Sequence, residues 1–149
     1  VFRLGEFYLN YAEAVFRYLG TAGTTDDEFG MSACAAINKV RQRSDVRMPD
    51  FPDDISNTDF WERYKKERMV ELAFEGLRYY DLRTWMVADK EANGLRYGLN
   101  LLATDYESSW VRTSKICQPI VFERKHHLFP IAQTQLNEMK NFTQNEGWN

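Results

Sequence analysis

ERMVELAFEGLRYYDLRTW, residues Glu67 to Trp85, is the part of this 149-residue chain that most constrains its fold. Glu67, Glu71 and Glu75 are four positions apart, so a helix places them on one face. Gly76 interrupts the helical pattern, and a glycine inside a helix costs about 1 kcal/mol relative to alanine. The stretch therefore predicts two helices that meet near Gly76, the second running from Leu77 to about Ala88.

The charged residues of this stretch are interleaved with large apolar ones, whereas a surface helix would segregate the two classes. A charge between packed elements is tolerated only when it is paired and hydrogen-bonded. The predicted ion-pair network comprises Glu67, Glu71, Glu75, Arg78, Asp81 and Arg83. The i,i+3 spacing allows Arg78 to pair locally with Glu75 or Asp81, while the other three need partners elsewhere.

Two interpretations of these carboxylates stay open. Glu71 and Glu75 could be the acid and base of an active site, or they could lock two helices together through salt bridges. We favour the structural lock, because ion-pair networks are much commoner than catalytic carboxylate pairs.

Composition limits the other function classes. The net charge is −3 and the chain has no basic stripe, so nucleic acid is not an expected partner. No apolar run approaches the eighteen or so residues of a membrane span. Cys34 and Cys117 form no metal-binding pattern, and neither a metal nor a cofactor is expected.

The length is most simply explained by a single domain over residues 1–149. The chain opens with Val-Phe-Arg inside a helical pattern, without a preceding cap. We therefore expect it to be the C-terminal portion of a longer protein.

The N-terminal half has a mainly helical pattern. Apolar residues recur with helical spacing over 1–20, and a second helical pattern covers about 28–44. Two such helices, with small residues near their crossing, predict an αα-hairpin of the tetratricopeptide kind. The segment 45–57 is predicted to be a loop, followed by a third helix capped by Asn57 or Thr58.

The helical period is lost after Asp89. Residues 92–98 look like a loop, and alternation over 110–117 predicts a small β-hairpin or extended arm near 97–123. Tyr97, Tyr106 and Trp110 lie in or beside polar segments of this arm. Their rings could anchor the arm to the helices, or they could stack against a sugar ring.

Six motifs occur in one order along the chain. They are RLGEFYLNYAEA (3–14), AINKVRQRS (36–44), the Glu67 stretch, RYGLN (96–100), ERKHHLFPIAQTQL (123–136) and QNEGW (144–148). This order resembles the C-terminal domain of the SusD/RagB family, and the resemblance covers essentially the whole chain. A short helix over about 134–140 follows from the pattern of the fifth motif.

The resemblance implies an α-helical, tetratricopeptide-containing lipoprotein on the outer membrane surface of Bacteroides-type bacteria. Such proteins bind oligosaccharides or other nutrients, deliver them to a TonB-dependent, SusC-like transporter, and are not enzymes. Their membrane link is a lipid anchor, and no terminal cysteine in this segment can carry one. The family's ligand-contacting residues lie mostly on variable loops upstream, so Tyr97, Tyr106 and Trp110 are candidates only from their aromaticity and expected exposure.

Two other functions remain as alternatives. A protein-binding helical scaffold would hold a peptide in a groove. A glycoside hydrolase would need two carboxylates flanking a sugar. Arginines close to Glu71 and Glu75 would lower the pKa of a carboxyl group, which is unfavourable for a general acid.

Overall fold

The structure is a computed structural model that describes the backbone of residues 3–91, 94–100 and 111–148. Side chains are described for 3–91 and 120–148. The chain divides into two compact units, residues 1–78 and 79–149, each of which is described by itself.

The first unit consists of three helices. They are α1 (Leu4–Leu19), α2 (Ala33–Arg41) and α3 (Asn57–Glu71). α1 and α2 pack against each other, as expected of a helical hairpin. The loop predicted between α2 and α3 is present.

Side-chain caps decide where α2 and α3 begin. Ser32 accepts a hydrogen bond from the backbone N–H of Ala35, so α2 begins later than the periodicity predicts. Upstream, the carboxylate of Asp26 accepts bonds from two backbone N–H groups and holds that segment in a turn. Ser56 caps α3 by accepting from Asp59 N–H, so the predicted caps Asn57 and Thr58 are the first residues of the helix instead.

The core of the first unit lies between these helices. Fully buried residues come from all three of them: Leu9, Ala12, Val15, Ala33, Cys34, Ala36, Ile37, Phe60 and Tyr64. The hydroxyl of Tyr64 donates within this core to the carbonyl of Leu9 at 3.1 Å and reaches Glu13 Oε2 at 3.0 Å. Burial raises the pKa of Tyr64, so the phenol stays neutral and acts as a donor.

The junction predicted at Gly76 is broader than one residue. α3 ends at Glu71, and α4 (Arg78–Thr84) begins after a turn. Gly76 has a φ of 77°, in the left-handed region that glycine reaches without a steric penalty. Phe74 also has a positive φ, 66°, and its side chain is completely exposed. α3 therefore ends five positions before Gly76, and the turn that follows it contains two residues with positive φ.

The second unit combines short helices with a β-hairpin. α5 (Ala88–Glu91) is followed by β1 (Gly94–Asn100) and β2 (Val111–Ile120), which pair antiparallel. A 3₁₀ turn (Arg124–His127) and α6 (Gln133–Glu138) complete the chain. The predicted second helix, 77–88, is thus shorter than expected, and part of the loop predicted at 92–98 is strand β1.

The register explains why the alternation in β1 was hard to recognise. Gly94 pairs with Ile120, Tyr97 with Ile116, and Asn100 with Val111. The register shifts between Leu95 and Tyr97 and again between Tyr97 and Leu99. Each shift breaks the strict two-residue period on which strand recognition depends.

The mainly α fold class with a small β-hairpin is confirmed. The architecture agrees with a tetratricopeptide-like helical hairpin plus further helices. Whether residues 1–149 act as one domain stays a prediction. Along the described helices, none combines the length and apolarity needed to cross a bilayer.

Candidate functional site

The aromatic candidates fall within the sequence range 94–120, which contains the two paired strands. Tyr97 is in the middle of β1, opposite Ile116, but the contacts of its side chain lie outside the described residues. Tyr106 and Trp110 also lie outside them, in the connection between β1 and β2. Their assignment to a ligand surface stays a prediction.

The carboxylates of the Glu67 stretch find arginines on other parts of the first unit. Glu71 receives a two-pronged contact from Arg43, whose Nη1 and Nη2 each donate at 2.8 Å to a different carboxylate oxygen. Arg3 donates to Glu71 Oε1 at 3.1 Å and to the Glu71 carbonyl at 2.7 Å. Its Nη2 also donates to Glu75 Oε1. One carboxylate therefore links the start of α1, the end of α2 and the end of α3.

Glu67 makes a separate pair on the same side of α3. It accepts a hydrogen bond from Arg41 Nη1, and the two side chains are only 16% and 13% exposed. Arg41 Nε also donates to the carbonyl of Pro49 at 2.7 Å. The guanidinium is thereby fixed in a plane, 5.2 Å from the centroid of the Phe51 ring.

The ion pairs change the pKa values of the arginines. The hydrogen bond to Glu75 raises the pKa of Arg3, and the hydrogen bond to Glu71 raises the pKa of Arg43. Both guanidinium groups stay charged and hold the two carboxylates as hydrogen-bond acceptors. Glu71 and Glu75 share Arg3 as a partner, an arrangement suited to a structural lock.

Sequence reasoning did not name these arginine partners. Arg41 and Arg43 stand in the motif AINKVRQRS, and Arg3 stands in RLGEFYLNYAEA. Because the three positions are 24 or more residues from Glu67, helical spacing within the Glu67 stretch could not reveal them. The available signal was the group of arginines near the ends of the two helical patterns at 1–20 and 28–44.

The downstream members of the predicted network lie in or next to α4. Asp81 is buried, with 8% of its surface exposed. Arg83 lies over the rings of Tyr79, Phe122 and Phe129, at 4.5, 5.2 and 4.8 Å from their centroids. Arg83 Nη1 also donates to backbone carbonyls of the 3₁₀ turn, including that of His127 at 3.2 Å. In the second unit Arg83 therefore links α4 to the 3₁₀ turn through ring packing and hydrogen bonds.

The C-terminal motif QNEGW folds back on the 3₁₀ turn and on the irregular segment 128–132 that follows it. The amide of Gln144 makes two hydrogen bonds with the backbone of Ile131, at 2.8 and 2.9 Å. Trp148 Nε1 donates to the carbonyls of Lys125 and Leu128, each at 3.0 Å. A cavity of about 410 Å³ lies beside this contact.

His127 lines that cavity. Its side chain is 2% exposed, and Nε2 lies 3.3 Å from Asp89 Oδ1. The neighbouring His126 accepts the backbone N–H of Glu123 on Nδ1 at 2.9 Å, and so serves a backbone cap. Among the described residues, no three side chains of metal-ligating type come together.

A second groove, on the first unit, has a volume of about 490 Å³ and is lined by the residues around the Arg41–Glu67 pair. A third, of about 370 Å³, lies beside Trp61, whose ring is covered by Arg17 at 4.7 Å. These volumes are in the range of small-molecule sites.

Comparison with known proteins identifies the fold. A sequence model of the SusD family matches residues 1–148. A SusD-like protein from Bacteroides fragilis aligns with a TM-score of 0.72 and 26% identity, over 97% of this chain and 25% of its own. The protein BT4246 aligns with a TM-score of 0.68 and 30% identity, over 99% of this chain and 23% of its own.

The selenomethionine form of BT4246 gives a TM-score of 0.66 and 31% identity, over 99% of this chain and 24% of that one. The chain thus spans about a quarter of the length of these structures. No curated protein matches the sequence. From the family match over nearly all its residues, and from the structural likeness at up to 31% identity, the chain belongs to the SusD family.

Proposed function

We propose that this chain is part of a surface protein that binds glycans or other nutrients and delivers them to a TonB-dependent outer-membrane transporter. The observation that carries the proposal is membership of the SusD family over residues 1–148. The protein is held at the outer membrane by a lipid anchor and performs no catalysis itself.

The state of the carboxylates supports binding over hydrolysis. A glycoside hydrolase needs one carboxyl group that holds a proton and one that attacks or activates water. Glu71 is 12% exposed and accepts hydrogen bonds from two arginines, and Glu75 shares one of these arginines. Both carboxylates thus accept hydrogen bonds from arginine side chains, as the members of a structural ion-pair network do.

The hairpin is the candidate ligand surface. Tyr97 belongs to β1, and Tyr106 and Trp110 fall between β1 and β2 in the sequence. Aromatic rings match the apolar face of a pyranose, and each contact is worth on the order of 1 kcal/mol. Loss of one ring should therefore weaken binding about fivefold.

A glycan array, read together with a reducing-end assay on the same sugars, tests the proposal on the full-length protein. We expect retention of a defined set of oligosaccharides without release of new reducing ends. Trp110→Ala should weaken that binding and leave the melting temperature nearly unchanged. Phe142→Ala, which removes an exposed ring on the C-terminal segment, is the matched control and should bind normally.

Three outcomes would contradict the proposal. Release of reducing ends would make the protein a hydrolase. Retention of peptides and no sugars would make it a protein-binding scaffold. If Trp110→Ala lowers the melting temperature but binds normally, the hairpin aromatics are structural.

Transporter delivery needs a separate measurement. We expect the full-length protein to co-purify from outer membranes with a TonB-dependent transporter. If no such transporter co-purifies with the protein, delivery is refuted, and the result on ligand binding is unaffected.

A further inference from the structure

The groove of about 490 Å³ on the first unit has two walls of different character. One wall is a stripe along α3 formed by Arg63, Lys66, Glu67 and Val70, which follow the i, i+3, i+4, i+7 spacing of one helix face. The other wall is the segment 46–51 that follows α2. The Arg41–Glu67 ion pair joins the two walls.

The second wall is held in place before any ligand arrives. Asn38 donates to the carbonyl of Phe51 at 3.0 Å and accepts its N–H at 2.8 Å. The Gln42 amide donates to both oxygens of Asp50, each at 2.9 Å. A wall fixed by such bonds loses little conformational entropy when a ligand binds.

Some charged side chains of the groove are ion-paired within the protein, and others could contact a ligand. Glu67 is paired with Arg41, and Glu71 is paired with two arginines outside the groove. Arg63 and Lys66 are exposed, and in the part of the chain that the structure describes neither makes an ion pair or side-chain hydrogen bond. The α3 wall therefore presents two available cations.

The opposite wall presents an acceptor and an apolar edge. Asp50 is held by a neutral amide, so its oxygens retain capacity to accept further hydrogen bonds. Met48 on this wall is 48% exposed, and Val70 on the other is 70% exposed. Cations on one side, an acceptor on the other and apolar edges between them suit a ligand that carries a carboxylate, hydroxyl groups and C–H faces.

We propose that this groove binds an acidic saccharide, with the sugar carboxylate on Arg63 and Lys66 and its hydroxyl groups donating to Asp50. The proposal rests on the proposed glycan-binding function and adds a ligand class and a second site, separate from the hairpin. The volume suits one or two sugar rings.

A peptide carboxylate is a poorer occupant. An extended peptide bound in a groove gains much of its affinity from main-chain hydrogen bonds. Much of the backbone of this wall is already engaged, since Arg41 occupies the Pro49 carbonyl and Asn38 occupies both backbone groups of Phe51. The N–H of Met48 donates to the carbonyl of Arg41. A saccharide needs only side-chain donors and acceptors.

The experiment is calorimetric titration of the full-length protein at low ionic strength with tri-galacturonate, its trimethyl ester and a hyaluronan tetrasaccharide. At least one acidic sugar should bind, and for tri-galacturonate the ester should bind at least tenfold more weakly. Arg63→Met and Lys66→Met keep the apolar stems and should each weaken binding about threefold, and the double variant about tenfold. Lys39→Met is the matched control, because Lys39 is exposed on α2 outside the groove.

The proposal is overturned if neither acidic sugar binds, if acid and ester bind equally, or if the double variant binds like the parent. If tri-glutamate binds as tightly as the acidic sugars, the groove is a site for peptide carboxylates and the proposal is also overturned. Binding of neutral glycans on the array distinguishes a failure of this proposal from a failure of the proposed function. If the double variant still binds neutral glycans, then a negative result with acidic sugars refutes only the groove as their site.

Discussion

Replacement of Glu71 by alanine should destabilise the first unit, because this carboxylate links three of its segments. Glu71 accepts two hydrogen bonds from Arg43 and one from Arg3, and its side chain is only 12% exposed. Glu71→Ala removes all three bonds and leaves both guanidinium groups without this partner. Arg3 keeps its hydrogen bonds to the Glu71 carbonyl and to Glu75, whereas Arg43 loses both of its bonds to Glu71.

The magnitude follows from the exposure of the partners. Removing one partner of a fully buried ion pair costs about 3–5 kcal/mol. Arg43 and Arg3 are 35% and 38% exposed, so water can resolvate part of each released charge. We therefore expect a loss of about 2 kcal/mol in the free energy of unfolding, which corresponds to a decrease of roughly 4–8 °C in Tm.

The measurement is urea denaturation followed by circular dichroism, with the m-value as a check that the unfolded state is unchanged. Glu62→Ala is the matched control on the same helix, because Glu62 is 57% exposed and its ion pair is a local one with Lys65. It should lose about 0.5 kcal/mol or less. If Glu71→Ala and Glu62→Ala unfold at the same urea concentration, the lock makes no net contribution to stability and the reasoning is refuted.

Three further changes test other parts of the molecule. Burial raises the pKa of the Cys34 thiol to about 11, so in a Cys117→Ser background Cys34 should resist a thiol reagent at pH 8 until the chain unfolds, and rapid labelling of the native protein would contradict this. A Cβ at Gly23 would lie 1.9 Å from a backbone carbonyl oxygen, so Gly23→Ala should cost about 1–3 kcal/mol in urea denaturation, whereas Gly30→Ala has open space and should cost little. Trp148→Phe keeps an aromatic ring but loses two hydrogen bonds to backbone carbonyls; it should lose about 1–2 kcal/mol in thermal unfolding, and a parent-like melt would show that ring packing alone holds the C-terminal segment.

Ionisation of Cys34 makes the stability of the folded chain decrease at alkaline pH. Because the pKa is raised in the folded state, the folded chain favours the neutral thiol. The corresponding stability is present in full below the pKa of the unfolded thiol, near 8.5, and is lost as the pH rises toward 11. Alkaline denaturation should therefore be shifted to higher pH in Cys34→Ser.

Local sequence patterns determined the helical character of the first unit. The apolar recurrence over 1–20 marks α1 because a half-buried helix must repeat its apolar residues every three or four positions. The charges interleaved with apolar residues around Glu71 indicated ion pairs for the same reason, since unpaired charges are costly next to a core. The family motifs, read in order, indicated the SusD family, which the comparisons confirm.

Only the tertiary structure decided which residues meet. Arg3 and Arg43 reach Glu71 from positions 68 and 28 residues away, and no helical period encodes such a distance. The turn at Phe74 and the register shifts around Tyr97 were also hidden, because both depart from a regular repeat. A sequence pattern reports neighbours within one element, whereas the pairing of charges and the shape of a groove depend on how separate elements pack.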